Sequence, residues 1–145
     1  MTAPQLYDRD FYQWTQYNSA LLRTGRFDEA DVENIAEEIH ALGLREHREL
    51  ESRIEVLIQH LLRWTIQTNA QSGAWRLAIE IQRIEILRVL KDMPSLRLVL
   101  ASDLNETYYI GVLKASIATG LPEDRFPASC PLTLDQILDK EFFPE

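Results

Sequence analysis

Apolar residues recur at three- and four-residue spacing along most of this chain, and that spacing most constrains its fold. Alternation of apolar and polar residues, which is typical of a half-buried strand, is not sustained anywhere in the sequence. Gly25, Gly43 and Gly120 each follow a periodic segment, the position at which glycine commonly ends a helix. The sequence therefore predicts an all-α fold.

Five main helices are predicted from the periodic segments and their flanking residues. Asp28 suits the start of the second helix, and Pro94 suits the first turn of the fifth. The predicted helices cover about 8–24, 29–42, 44–70, 74–92 and 94–119. Long helices joined by short connections favour an antiparallel helical bundle.

Two of the predicted helices have distinctive patterns. The second carries an apolar stripe that we expect to be buried, formed by Val32, Ile35, Ala36, Ile39 and Leu42. The fifth has no clean polar face, so we expect it to be central in the bundle or bent near Gly111.

The segment after the fifth helix is interrupted by prolines. These are Pro122, Pro127, Pro131 and Pro144. Thr133 suits the cap of a short C-terminal helix, and Phe142 and Phe143 are expected to dock the end of the chain. With 145 residues, 46% of them hydrophobic, we predict a single domain over 1–145 with 121–145 packed as a tail.

Charge and export features restrict the classes of function. The net charge is −8, and residues 28–59 hold ten acidic and three basic side chains, a local charge of −7. This field opposes nucleic-acid phosphates. No apolar run approaches the ~18 residues of a membrane span, and there is no secretory signal pattern. With only one cysteine, Cys130, the chain is predicted to be cytoplasmic.

Four stretches in fixed order resemble a known family. They are Tyr7–Trp14 followed by Leu21-Leu22 and Gly25–Phe27; Asp31–Ile39; Trp75, Arg76, Ile79, Gln82, Arg83 and Ile86 leading into Pro94–Leu96; and Cys130, Pro131, Thr133, Leu134 and Gln136–Leu138 closing on Phe142 and Pro144. Together they resemble the bacterial family called domain of unknown function 29. The resemblance implies a helical bundle and a bacterial, cytoplasmic protein. It implies no activity and no catalytic residues.

The second predicted helix contains the residues that come nearest to a metal site. Glu33, Glu37 and His40 lie on one flank, and Glu37 and His40 form an E-x-x-H pair. Di-metal bundles need two such pairs, but neither His47 nor His60 has a glutamate three residues before it. We therefore predict a solvated acidic face and no metal or other cofactor.

Two isolated residues have both a structural and a chemical interpretation. His47 lies on the apolar stripe of the third predicted helix, where a hydrogen-bonded core histidine is favoured over a ligand or a proton switch. Cys130 has no histidine near it in sequence, so a structural cysteine is favoured over a nucleophile. No catalytic residues are predicted.

Polar residues interrupt the apolar face of the fourth predicted helix. Gln82 lies within that face, Arg83 lies at its edge, and Trp75 and Arg76 precede them. Buried amide and guanidinium groups need hydrogen-bonding partners. We favour a polar clamp that fixes helix register, and the alternative is an anion-binding or partner-binding pocket beside Trp75.

The fourth predicted helix also has a second apolar face. Leu77, Ile81 and Ile84 point away from the first face. The helix is therefore either sandwiched between neighbours or exposes this face to another chain. We predict a homodimer contact there.

These features favour a small non-catalytic protein that binds another macromolecule, with a regulatory or adaptor role and a basic protein partner. The alternative is a metal-dependent enzyme that uses the carboxylates of the second predicted helix and a histidine. A third hypothesis is nucleic-acid binding through basic residues that do not share one helix face. These are Arg63, Arg76, Arg83, Arg88, Lys91 and Arg97.

Overall fold

All regular structure in the described residues is helical. The computed structural model describes residues 2–67 and 73–145, and no strand occurs in these ranges. The α-helices are α1 (Ala3–Arg9), α2 (Phe11–Arg23), α3 (Val32–Ile66), α4 (Gly73–Asp92), α5 (Leu96–Ser102), α6 (Leu104–Thr119) and α7 (Leu134–Leu138). Short 3-10 turns occupy Phe27–Glu29 and Glu123–Arg125. The predicted all-α class is confirmed.

The chain divides into two compact units, Met1–Glu46 and His47–Glu145, and α3 supplies residues to both. Each unit has its own set of buried side chains. The prediction of one domain over 1–145 stays a prediction. No helix within the described ranges has the length and apolarity required to cross a membrane.

The first predicted helix, about 8–24, is wrong as a single element. Asp10 ends α1 and begins α2, with φ −151° and ψ 88°. Its side chain accepts a hydrogen bond from the backbone N–H of Gln13 at 3.0 Å, which stabilises the new start. The predicted stop at Gly25 is confirmed, because that glycine has a left-handed φ of 76°.

The second and third predicted helices, about 29–42 and 44–70, form one continuous helix, α3. Gly43 lies in the interior of this helix. The helix tolerates it because one glycine lowers helix stability by only about 1 kcal/mol relative to alanine, and good helix formers surround it. The helix begins at Val32 instead of 29, and Asp31 precedes it in place of the expected cap Asp28. The predicted end of the third helix, at about residue 70, lies outside the described residues.

The interior of the first unit contains a polar network beside its few buried hydrophobic residues. The indole Nε1 of Trp14 donates to Asp31 at 2.9 Å, and the Asn34 amide donates to the same carboxylate at 2.7 Å. Asn18 accepts from the backbone N–H of Asp31 at 2.9 Å and donates to the carbonyl of Trp14 at 3.0 Å. Trp14, Asn18 and Asp31 are all buried, so hydrogen bonds join α2 to the start of α3.

The interior of the second unit is apolar. Its core combines side chains from α3, α4, α5, α6 and α7, among them Leu50, Ile54, Leu57, Leu61, Ile79, Ile86, Leu100, Val112 and Ile137. At Gly111 the helices α6 and α3 approach so closely that an added Cβ would lie 2.6 Å from Cγ2 of Ile58. The lack of a side chain at Gly111 therefore allows α6 to pack closely against α3.

The fifth predicted helix, about 94–119, divides into α5 and α6 at Asp103. The expected bend near Gly111 is wrong, because the chain turns eight residues earlier, where Asp103 has φ −95° and ψ 5°. Gly120 ends α6 in the left-handed conformation, with φ 75°, as expected.

The C-terminal tail packs against the core of the second unit. Thr133 begins α7 through a capping box with Gln136, as predicted from its position. Tyr108 donates its hydroxyl to the carbonyl of Pro127 at 2.5 Å, and burial raises the pKa of Tyr108 to about 12. The Phe143 ring lies 4.8 Å from the Trp64 ring, so the expected docking of Phe143 is confirmed.

Candidate functional site

Arg83 is the polar residue that the fourth helix buries most completely, at 0% exposure. Its Nε donates to the carbonyl of Ile137 at 2.8 Å, and its Nη2 donates to the carbonyl of Gln136 at 3.4 Å. Burial lowers the pKa of Arg83, and the nearby carboxylate of Asp139 opposes that shift. The side chain therefore ties α4 to the last turn of α7, as a structural clamp would.

Cation–aromatic contacts surround this clamp. The guanidinium of Arg76 lies 4.3 Å from the centre of the Phe143 ring, and that of Arg83 lies 5.2 Å from it. The guanidinium of Arg63 lies 4.3 Å from the centre of the Trp75 ring. Three of the predicted binding residues, Trp75, Arg76 and Arg83, therefore contact neighbouring side chains. A binding role for them and for Gln82 stays a prediction.

The apolar stripe expected to be buried in the second predicted helix is exposed instead. Val32, Ile39 and Leu42 are 63%, 64% and 56% exposed, Ala36 is exposed and Ile35 is half-buried. No residue of α3 before Leu50 is buried. We call this set of five residues the α3 stripe: Val32, Ile35, Ala36, Ile39 and Leu42.

A different face of α3 is turned inward in the first unit. Asn34, Glu38 and Ala41 are half-buried, and Glu38 accepts a hydrogen bond from the hydroxyl of Tyr7 at 2.5 Å. That hydrogen bond raises the pKa of Tyr7. With this face turned inward, every residue of the neighbouring α3 stripe except Ile35 is exposed.

Carboxylates border the α3 stripe. Glu33 and Glu37 lie along one edge together with His40, and Glu46 continues the helix beyond Leu42. All four side chains are exposed, and none forms an ion pair within residues 2–67 and 73–145. Glu33, Glu37 and His40 therefore form an acidic flank, and no lysine or arginine of the described residues pairs with it.

The second apolar face of α4 is largely open. Leu77 and Ile81 are 57% and 58% exposed, whereas Ile84 is half-buried. The helix was expected either to be sandwiched between neighbours or to expose this face, and the exposure of Leu77 and Ile81 fits the second arrangement. The homodimer contact itself stays a prediction.

The second unit brings His47 between two carboxylates. Its Nε2 lies 2.5 Å from Oε1 of Glu51 on the same helix and 3.2 Å from Oδ2 of Asp103, the residue between α5 and α6. The three ligand atoms all lie within 4.8 Å of one another, and each residue is partly buried. Among the described residues, these three form the group of histidine and acidic side chains with a spacing suited to a metal ion.

A cavity of about 320 Å³ lies beneath the tail of the second unit. Its lining is mostly apolar and includes Ile58, Leu62, Tyr108, Cys130 and Ile137. The Cys130 thiol donates to the carbonyl of Leu132 at 3.2 Å, and burial raises the pKa of Cys130. A thiol held protonated in this way is a poor nucleophile, in line with the structural interpretation.

Two features were missed from the sequence. The periodicity of the sequence does not reveal that the α3 stripe is exposed. The pattern identifies an apolar helix face, but it does not show whether another part of the chain covers that face. The approach of Asp103 to His47 joins residues 56 positions apart, so spacing along the chain does not reveal it. The i, i+4 pair of His47 and Glu51 was readable, and it is the signal that could have directed attention to this place.

Comparison with known proteins gives a family and nothing further. The sequence profile described as "Domain of unknown function DUF29" matches residues 6–143. The chain therefore belongs to the DUF29 family, as the resemblance indicated. No curated protein and no solved structure shows significant similarity to it.

Proposed function

We propose that this DUF29 protein is a non-catalytic binding protein whose α3 stripe receives a basic amphipathic helix of another protein. The observation that carries the proposal is the exposure of Val32, Ile39 and Leu42, at 56–64%, on one face of a long helix. Exposed apolar surface bordered by polar residues is typical of protein interaction sites. An amphipathic partner helix would bury these side chains through its own i, i+3, i+4 and i+7 positions.

The charge around the stripe indicates the chemistry of the partner. Glu33, Glu37 and Glu46 are exposed and form no ion pair within the described part of the chain. The first 46 residues hold nine acidic and four basic side chains, a net charge of −5. Lysine and arginine on the flanks of a partner helix would complement this field and speed association.

The same charges argue against a second copy of the chain on this face. Two α3 stripes packed against each other would bring Glu33 and Glu37 of both copies to one interface, which costs free energy unless cations intervene. The predicted homodimer contact through Leu77, Ile81 and Ile84 is a separate surface. An Ile81→Glu variant with unchanged mass in solution would contradict that contact.

A peptide titration tests the proposal. The probes are two helical peptides with the same leucine positions, one with lysine and one with glutamate on the polar face. We expect the lysine peptide to bind at least about tenfold more tightly, and its affinity to fall as salt is raised. Equal affinity for both peptides would contradict a basic partner.

A pair of variants locates the binding surface. Ile39→Ser should weaken binding of the lysine peptide about tenfold or more, because burying an isoleucine contributes about 1.5–3 kcal/mol. Ile117, on α6, is 84% exposed, so Ile117→Ser is the matched control and should bind as the wild type does. Equal losses in the two variants, or a dimer that Ile39→Ser converts to a monomer, would count against the proposal.

We also propose a setting for this function. A bacterial cytoplasmic protein is supported by the family resemblance and by the lone cysteine. The alternative of a metal-dependent enzyme on Glu33, Glu37 and His40 has less support, because these exposed side chains form no ligand cluster among the described residues.

A further inference from the structure

We propose that His47, Glu51 and Asp103 bind one divalent transition-metal cation, and that zinc fits them best. The site belongs to the second unit and shares no residue with the α3 stripe, so it does not depend on the proposed peptide-binding function. Two of its residues are held by one helix and the third by a helix junction. This arrangement gives a cation ligands from two separate elements of the fold.

The backbone fixes the first two ligands. His47 and Glu51 are four residues apart on α3, so their side chains lie one turn apart on the same face. Asp103 stands directly before α6, where the chain turns between α5 and α6. Its Oδ2 reaches Nε2 of His47 at 3.2 Å.

The spacing of the three ligand atoms is close to that of a zinc site. Zinc binds histidine nitrogen and carboxylate oxygen at about 2.0–2.2 Å in tetrahedral geometry, which places ligand atoms about 3.3 Å apart. The distance from Nε2 to Oδ2 is 3.2 Å, and all three ligand atoms lie within 4.8 Å of one another. The 2.5 Å separation between Nε2 and Oε1 of Glu51 is shorter than this geometry requires, so the Glu51 side chain must rotate to admit the ion.

The three residues hold more acceptors than donors. Nε2 of His47 is buried and makes no hydrogen bond of normal geometry, although two carboxylate oxygens lie close to it. One imidazole nitrogen carries at most one proton, so it cannot satisfy both oxygens. No lysine or arginine of the described residues pairs with Glu51 or Asp103, and the nearby Lys114 pairs with Glu55 at 2.9 Å. A divalent cation would balance both carboxylates.

The ligand types select the class of cation. A neutral imidazole suits zinc and other late first-row metals, whereas magnesium and calcium prefer oxygen ligands alone. Three protein ligands leave a coordination position open. One of the ligands, Glu51, also lines a cavity of about 490 Å³, together with Glu55, Asn105, Glu106 and Tyr109 among others.

Calorimetry on the full chain, stripped of metal with a chelator, tests the proposal. We expect zinc to bind in a 1:1 ratio, and magnesium to bind at least about a hundredfold more weakly. Cobalt should give a visible absorption band that zinc abolishes. Zinc affinity no tighter than millimolar would overturn the proposal.

Matched variants locate the ion. His47→Ala, Glu51→Gln and Asp103→Asn should each weaken zinc binding at least about tenfold. His40→Ala, on the same helix but exposed in the first unit, should leave the affinity and the cobalt band unchanged. Circular dichroism checks that each variant is folded, and the two isosteric carboxylate changes serve if His47→Ala unfolds. A zinc affinity that survives all three ligand changes would overturn the assignment.

Discussion

The first unit of this chain exposes most of its large apolar side chains, whereas the described part of the second unit buries more of its large apolar side chains than it exposes. Among residues 2–46, four hydrophobic residues are buried and nine large ones are exposed. In the described part of the second unit, seventeen are buried and seven are exposed. The second unit is therefore stabilised mainly by removal of apolar surface from water.

The first unit depends on a different kind of interaction. Asp31 accepts from the indole of Trp14 and the amide of Asn34, and Asn18 holds the backbone of Asp31. A single hydrogen bond contributes only about 0.5–1.5 kcal/mol net, but an orphaned buried partner costs more. The network therefore fixes the geometry of this unit while its apolar residues remain available for a partner.

The largest expected effect compares two leucines on one helix. Leu57 is 0% exposed in the second unit, and Leu42 lies on the α3 stripe. Leu57→Ala should lower the free energy of unfolding by about 3 kcal/mol, because it removes buried methyl groups and leaves a cavity. Leu42→Ala should lower it by less than about 0.5 kcal/mol. Urea denaturation measures both, and similar losses would remove the distinction between the units.

The next effect concerns the clamp that holds the tail of the second unit. Arg83→Met keeps much of the volume but removes the donors to the carbonyls of Ile137 and Gln136. We expect a loss of about 2 kcal/mol in the free energy of unfolding, because buried acceptors are left without partners. Limited proteolysis should also cut the tail faster. A variant as stable as the wild type would mean that the cost of burying the charge equals the gain from its hydrogen bonds.

The sequence predicted the helical class, the stops at Gly25 and Gly120, and the cap at Thr133, because these depend on local backbone preferences. It failed at Gly43, where a helix in progress absorbs one glycine at small cost. It also failed to predict the separate helix α1, which ends at Arg9 before Asp10 starts α2. Local signals identify where a helix can end, but the neighbouring turns decide whether it does.

The candidate sites were less accessible from the sequence than the fold. The apolar pattern of the α3 stripe was recognised, but the sequence does not show that an adjacent face is the one turned inward, where Glu38 accepts from Tyr7. The sequence predicted that Arg83 needs hydrogen-bonding partners, but which groups accept from it depends on where the tail docks. Asp103 joins His47 only through the turn between α5 and α6. Tertiary contacts of this kind leave no trace in residue spacing.

A smaller effect tests the polar network of the first unit. Trp14→Phe keeps the ring contacts with Tyr7 and Phe11 but removes the donor to Asp31. We expect a loss of about 1 kcal/mol in local stability, because the buried carboxylate loses one of its hydrogen bonds. In hydrogen-exchange measurements, Trp14→Phe should speed exchange relative to the wild type more in residues 2–46 than in the core of the second unit. Tyr12 is 74% exposed, so Tyr12→Phe is the control and should change nothing.

The smallest expected effect is a pH dependence that separates two histidines. Burial, assisted by the charge of Arg63, lowers the pKa of His60 below its ordinary value near 6.5. The unfolded chain then binds a proton more readily than the folded chain, so stability rises with pH where His60 titrates. The contribution is fully present above pH 6.5 and is lost as the pH falls through the lowered pKa of the folded state.

Denaturation curves between pH 7 and pH 5 measure this contribution. We expect His60→Gln to reduce the loss of stability over that range, because the group that takes up a proton on unfolding is gone. His40 is exposed in the first unit, so His40→Gln should follow the wild-type curve. If His60→Gln and the wild type lose stability in parallel, the interior of the second unit does not hold His60 in its neutral form. Such a result would reduce the contrast between a buried second unit and an exposed first unit. If His60 binds a proton equally well in the folded and the unfolded chain, the fold does not desolvate it.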